Sequence, residues 1–205
     1  MKIFMLAVLT ILIVVAVAFM LIPKGPDQKA FEHLKTPGIS EMPAQNMLVV
    51  EARGEASIAA GKAIGLLMKA YFKQDGIKKS FKIPAVRARW PHDLNTPKDQ
   101  WMGYFALPVP DSLQKMVQVK NPDNLKIYLQ KWEYGSVAEI LHTGSYDTEK
   151  ETVDQLKRFI QTEGYQIIGE HEEEYIKGPG MFGKGNPDKY MTIIRYRVIK
   201  TQSKE

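Results

Sequence analysis

Three landmarks of different kinds recur along this chain at nearly one spacing. Gly54 and Gly144 stand 90 residues apart, the stops Asp75-Gly76 and Glu163-Gly164 stand 88 apart, and Asp99-Gln100-Trp101-Met102 and Asp188-Lys189-Tyr190-Met191 stand 89 apart. A strand, a helix and a two-strand hairpin that return with the same stops imply two copies of one unit. Neither copy can bury both its helix and its sheet alone, so the copies are expected to pack about a pseudo-twofold axis. The expected fold class is α+β: duplicated β-α-β-β units forming a pseudo-twofold antiparallel-sheet domain with a central cleft. A groove between copies is where small-molecule sites tend to lie.

Within each copy the residue pattern supplies the parts. Met47-Leu48-Val49-Val50 is apolar and partly β-branched and leads to Gly54, which predicts a strand over 46–53 ending in a turn. From Ser57 to Phe72, Ile58, Gly61, Ile64, Leu67, Met68 and Tyr71 recur at helical spacing, with Lys62 and Lys69 on other faces. Strands over 81–90 and 101–109 complete the first copy. In the second, alternation over 125–133 predicts a strand that Gly135-Ser136 turns back into a strand over 137–142. Thr148 to Thr162 places Val153, Leu156, Phe159 and Ile160 at helical spacing, with Glu149, Lys150, Asp154, Lys157 and Arg158 toward solvent. A strand region over 165–176, a glycine-rich loop over 178–187 and a final strand over 190–199 close the copy.

Ahead of the repeat, Ile3 to Ile22 is an apolar run whose only polar residue is Thr10. At ~1.5 Å per residue it reaches the ~30 Å of a bilayer core and reads as one transmembrane helix. An uncleaved signal anchor is preferred to a cleaved signal peptide, because Phe19-Met20-Leu21-Ile22 continues the run past the small residues Ala16-Val17-Ala18. With the short amino terminus kept in the cytoplasm, the soluble domain falls on the non-cytoplasmic side. Pro23, Gly25, Pro26 and Pro37 suit a linker. The expected organisation is therefore a transmembrane anchor over 1–22, a linker over 23–37, the folded domain over 38–200 and a tail over 201–205.

Charge and composition exclude several classes. The net charge is +5, but lysines are scattered among acids with only short clusters such as Lys78-Lys79, so no nucleic-acid partner is expected. The absence of cysteine excludes disulfides, Cys-ligated zinc and thiol catalysis. Histidines at 33, 92, 142 and 171 lack ligand spacing, so no metal is expected.

The chemistry concentrates late in the second copy. Period-two alternation puts Glu173 and Tyr175 on one strand face and Glu172 and Glu174 on the other. Tyrosine prefers amphipathic surroundings, so Glu173 is the carboxylate expected to face the cleft; the competing reading makes all three glutamates a solvated edge. A carboxylate desolvated among rings attracts a cation or, protonated, serves as a general acid. Trp90, Trp101, Tyr104, Tyr146 and Tyr190 are candidate ligand-binding aromatics, each also suited to core packing. His142 reads as a hydrogen-bonded structural residue. The loop Gly178 to Gly185 lacks the Gly-Lys-Ser/Thr ending of a phosphate loop.

Val137-Ala138-Glu139-Ile140-Leu141-His142-Thr143-Gly144-Ser145-Tyr146 resembles the signature strand and turn of GyrI-like, or AraC-type effector-binding, domains. In that family a helix follows, then a strand bearing Glu-x-Tyr, here Glu173-Glu174-Tyr175, and a last strand, here 190–198. The resemblance covers about 38–199. It implies a pseudo-symmetric α+β fold whose cleft binds hydrophobic or cationic small molecules through an acidic residue among aromatics, and it implies that Glu173 is that residue. Some relatives are hydrolases of strained, alkylating cyclopropane compounds that use a glutamate and a tyrosine of the cleft. The fold is also compared with haem-binding proteins of the SOUL type, but no cofactor is expected here, because His142 and His171 lack an evident partner arrangement.

Two departures matter. Regulators of the family usually join this domain to a helix-turn-helix reader, whereas here the apolar run stands in that place, so a role in transcription is not expected. Lys177-Gly178-Pro179 replaces the usual aspartate-proline after Glu-x-Tyr. The expected function is a bacterial membrane-anchored small-molecule binding domain that senses or sequesters its ligand, with no protein partner named. The alternative is a hydrolase in which Glu173 activates water and Tyr175 or Tyr146 donates a proton.

Overall fold

The computed structural model describes residues 28–54, 56–77, 83–91, 96–97, 100–121, 123, 125–179 and 185–201. The expected anchor, the first residues of the linker, the start of the strand expected at 81, half of the glycine-rich loop and nearly all of the tail lie outside them. Among the described residues, no helix is long and apolar enough to cross a membrane.

In chain order the elements are β1 (Gly38–Met42), β2 (Gln45–Arg53), α1 (Ala56–Lys73), β3 (Val86–Trp90), β4 (Met102–Pro108), β5 (Lys126–Trp132), β6 (Gly135–Thr143), α2 (Glu149–Thr162), β7 (Tyr165–Ile167), β8 (His171–Lys177) and β9 (Met191–Lys200). The strands form one antiparallel sheet of order β1-β6-β9-β8-β3-β4-β2-β5, with β7 added to the end of β9. The order is symmetric. In each half the strand before the helix, the last strand and the strand preceding the last lie side by side, and β3 and β8 pair at the centre with Ala88 opposite Glu173.

The repeated unit has one strand more than its spacing suggested. β1 and β5 are its opening strands, and each crosses to the other half: β1 pairs with β6, and β5 pairs with β2. The hairpin expected between 125–133 and 137–142 does not form. Pairing β5 with β2 instead extends the core under α1 with Leu125, Ile127 and Leu129, a burial that a local hairpin would forgo. Only Pro43–Ala44 joins β1 to β2, and only Glu133–Tyr134 joins β5 to β6. Strand ends from opposite sides of the sheet therefore lie within about 11 Å. The sheet must curl, and Met42, Met47, Val49, Trp132, Tyr134 and Val137 pack together inside the curl.

Both helices cover the outer face. α1 packs chiefly on β2 and β4, and α2 on β6, β7 and β9. The buried side of α1 is Ala59, Ala63, Leu66, Leu67, Ala70 and Tyr71, while Ile58 is 63% exposed. Leu67 and Tyr71 are buried as expected, with Ile64 and Met68 packed beside them, but the helix is rolled toward its alanines, which bring its backbone close to the sheet. α2 buries Val153, Leu156 and Ile160 as expected, and Gly164 at φ +72 lets the chain leave it. Within the segment expected to be linker, Gln28–Lys35 forms a 3-10 helix whose Phe31 and Leu34 pack on Leu141, Ile176 and Ile193, on the inner face.

Candidate functional site

The helices pack chiefly on β2 and β4 and on β6, β7 and β9, so the outer face of the central strands β3 and β8 lies between them, and this strip is the candidate groove. Residues opposite each other in an antiparallel ladder share a face. Val86, Ala88 and Trp90 pair with Tyr175, Glu173 and His171, and Glu173 and Tyr175 pair in turn with Ile194 and Thr192. Because Ala88 and Trp90 belong to the core under α1, and Ile194 to the core under α2, all of these side chains rise into the groove.

Glu173 is the centre of the cluster. Its Oε2 accepts a hydrogen bond from the Tyr175 hydroxyl at 2.6 Å, and its Oε1 accepts one from His171 Nε2 at 3.0 Å. The other His171 nitrogen lies 2.8 Å from the Tyr196 hydroxyl, which fixes the ring. Above sits Tyr146, from the short 3-10 turn before α2. Its ring centroid is 5.9 Å from Tyr175 and 5.4 Å from Tyr190. Gly178 passes so near that a Cβ there would meet the Tyr146 hydroxyl at 3.0 Å. Trp90 closes another side, edge-on to Phe105 and packed against Trp101.

The electrostatics separate two carboxyl groups. Burial pushes the Glu173 carboxyl up, but the hydrogen bond and charge of His171, with hydrogen bonds from Tyr175 and the Trp90 indole, outweigh it and hold the group below its ordinary value. Glu149, the first residue of α2, goes the other way: burial and the charge of Glu173 push it up to about 9. Its Oε1 is buried without a hydrogen-bond partner, as is Oγ1 of Thr192. Burial and then Glu173 also raise Tyr175 well above its usual value and Tyr146 to about 12, so both phenols stay protonated. At neutral pH one anion, one neutral acid and several rings face one groove.

Of the residues singled out from the sequence, Glu173, Tyr175, Tyr146, Tyr190 and Trp90 come together here. Trp101 stands behind Trp90. Tyr104 does not join them: it pairs with Glu51 and Arg89 and therefore points into the curl. His142 is the structural residue expected, 2.8 Å from the Thr152 hydroxyl. Two members of the cluster escaped the sequence reading. His171 lies two residues before Glu173 on the same strand, so period-two alternation was a usable signal. Glu149 was expected toward solvent, and an acid in the first turn of a helix reads as a helix-dipole partner rather than a groove residue.

On the inner face, Glu172 and Glu174 form no solvated edge. Glu172 accepts from Arg89, Arg195 and the Tyr134 hydroxyl, while Glu174 accepts from Arg87 and Arg195. Arg195 also binds Glu139 at 2.6 Å. Burial pushes Glu172 up, but the charges of Arg195, Arg89 and Arg87 outweigh it and hold the group low.

No family model matches the chain, and no characterised protein matches it by sequence. Solved structures do match its fold. A protein from Listeria innocua described as a hydrolase is 22% identical, with a TM-score of 0.60 over 80% of this chain and 92% of that one. An uncharacterized conserved protein from the same organism is 22% identical, with a TM-score of 0.62 over 84% and 97%. The C-terminal domain of EcmrR is 16% identical, with a TM-score of 0.57 over 81% and 98%. These likenesses establish the fold, an α+β domain built on a large antiparallel sheet, and it is the fold implied by the resemblance to GyrI-like effector-binding domains.

Proposed function

We propose that this chain is a membrane-anchored binding module for a lipophilic or cationic small molecule, held over Glu173 between α1 and α2, with a sensing or sequestering role. One observation carries the reading. Glu173 is a buried, ionised carboxylate, and among the described residues no arginine or lysine pairs with it. A desolvated carboxylate whose ion-pair partner among the described residues is the imidazole of His171, and not an arginine or lysine, suits a mobile cation, and so do the faces of Trp90, Tyr146, Tyr175 and Tyr190. The unpartnered Glu149 Oε1 and Thr192 Oγ1 are polar positions that a ligand can satisfy. The apolar run Ile3 to Ile22 supports anchoring.

The test uses the full chain in mild detergent, titrated with a quaternary arylammonium dye and with its uncharged carbon isostere while tryptophan fluorescence is followed. Saturable quenching by the cation, weakened in Glu173→Gln, is the expected result. Equal binding of the neutral isostere would remove the role assigned to the carboxylate.

A second reading is favoured by the divergent carboxyl groups. A neutral acid at Glu149 beside an ionised Glu173 is the pattern of an acid–base pair, and a neighbour of the same fold is described as a hydrolase. In this reading Glu173 activates water, and Glu149, Tyr175 or Tyr146 protonates the leaving group. Product formation from a strained electrophile, abolished by Glu173→Gln, would favour it; saturable binding without turnover would exclude it.

A further inference from the structure

The inner face holds a second opening that the groove does not use. A cavity of about 310 Å³ lies where the link between β7 and β8 crosses the curl, walled by Arg89, Glu172, Arg195 and Arg197 and rimmed by Ile168, Gly169 and Glu170. Its size is at the lower end for small-molecule pockets, roughly 300–1,000 Å³.

The charges of its wall do not cancel. Three buried carboxylates face inward, Glu139, Glu172 and Glu174, and all three are occupied by Arg87, Arg89 and Arg195. Arg197 is left over: its Nε donates to the Tyr134 carbonyl at 3.0 Å, and among the described residues it forms no ion pair. Arg89 spends its Nε on Glu172 and stacks its guanidinium 3.9 Å above the Trp132 ring, yet its Nη2 is buried with no hydrogen-bond partner. Among the described residues that line the cavity, Glu170, exposed on the rim, is the one acid left to oppose this excess. The backbone is also shaped for Arg197, since a Cβ at Gly169 would meet its Cβ at 2.8 Å. Gly169 thus lets the arginine stem lie flat along the cavity edge.

We infer that this cavity is a binding site for a small oxyanion, a carboxylate or a phosphate group, taken by the open fork of Arg197 with Arg89 behind it. A guanidinium fork matches both groups through two parallel hydrogen bonds, and a site already lined by neutralised carboxylates adds little repulsion. The cavity opens on the opposite side of the sheet from Glu173, so the inference is independent of the groove.

The full chain in detergent is melted in rising phosphate, acetate or succinate, against chloride at matched ionic strength. A saturable rise in Tm with phosphate alone assigns phosphorylated ligands, and one with the carboxylates alone assigns organic acids. Arg197→Met keeps the stem against Gly169 and should weaken the anion by about tenfold or more. Arg197→Lys keeps the charge without the fork and should weaken it by less, while Glu173→Gln should leave it unchanged. If no anion exceeds the chloride control, or if Arg197→Met binds as the native chain does, the site does not exist.

Discussion

Strand β8 presents two carboxylate environments one residue apart, and they are solved in opposite ways. On the inner face, Glu172 and Glu174 are met by guanidinium groups in a closed lattice in which Arg195 alone touches three carboxylates. On the outer face, Glu173 is met by a histidine, a phenol and an indole. In the first arrangement both carboxylates are fully paired with arginines. The second satisfies the lone pairs of the carboxylate without supplying a fixed arginine or lysine. Burial alone therefore does not separate the two environments; the kind of partner does.

Breaking the lattice should produce the largest effect. Arg195→Met removes one cation from three buried carboxylates, and losing one partner of a buried charge network typically costs about 3–5 kcal/mol. The variant should unfold at much lower urea than the native chain, with loss of groove binding following the loss of fold. Retained stability would mean that the lattice is not closed.

Glu173→Gln is the matching change on the other face. The amide keeps the shape and an acceptor for Tyr175, so the melting temperature should move little. Affinity for an organic cation should fall by about ten- to a hundredfold, as calorimetry would measure. A large drop in stability with unchanged affinity would reverse the contrast between the faces.

Glu149 sharpens the comparison through pH. Its folded-state value of about 9 lies above the ordinary carboxylate value, so the folded chain holds a proton that the unfolded chain releases. That difference is absent below the ordinary carboxylate range. It erodes stability as pH rises from there toward 9 and then levels off. Glu149→Gln should therefore match the native chain near pH 4 and exceed it near neutrality by on the order of 1 kcal/mol. Cation affinity of the native chain should rise as pH approaches 9, because Glu149 then adds a second negative charge, and the rise should vanish in the glutamine variant. A native affinity that stays flat with pH would show that Glu149 does not face the ligand.

What the sequence made legible follows from which signals are local. The spacing of Gly54 and Gly144 exposed the duplication, and alternation along 172–176 separated Glu173 from its neighbours correctly. The strand exchange of β1 and β5 left no local trace, because an alternating strand fits any edge that buries its apolar side. The α1 face was read in part: Leu67, Tyr71, Ile64 and Met68 do meet the core, but Ala59, Ala63 and Ala70 carry little hydrophobic weight in a pattern yet decide how closely a helix approaches a sheet. Glu172 and Glu174 were half-read as solvated because their partners, Arg87, Arg89 and Arg195, lie on other strands, and only the register of β3, β8 and β9 joins them.

The smallest expected effect concerns Tyr146, the most exposed ring of the groove, with 40% of its surface open. Its ring rests on Tyr175, held by β8, and on Tyr190, buried just ahead of β9, whereas Tyr146 sits in a short turn. A ligand reaching Glu173 from solvent must stack on this ring or push it aside. In the first case Tyr146→Ala removes one face of the cage and weakens a cation by about three- to tenfold, the scale of a partly exposed cation–π contact. In the second it removes a gate, and association becomes faster with little change in affinity. Tyr146→Phe should behave as the native chain does under either outcome, because only the hydroxyl beside Gly178 is lost. Stopped-flow quenching of the three proteins with the same cation distinguishes a wall from a gate, and an unchanged rate and affinity in Tyr146→Ala would place the entrance elsewhere along the groove.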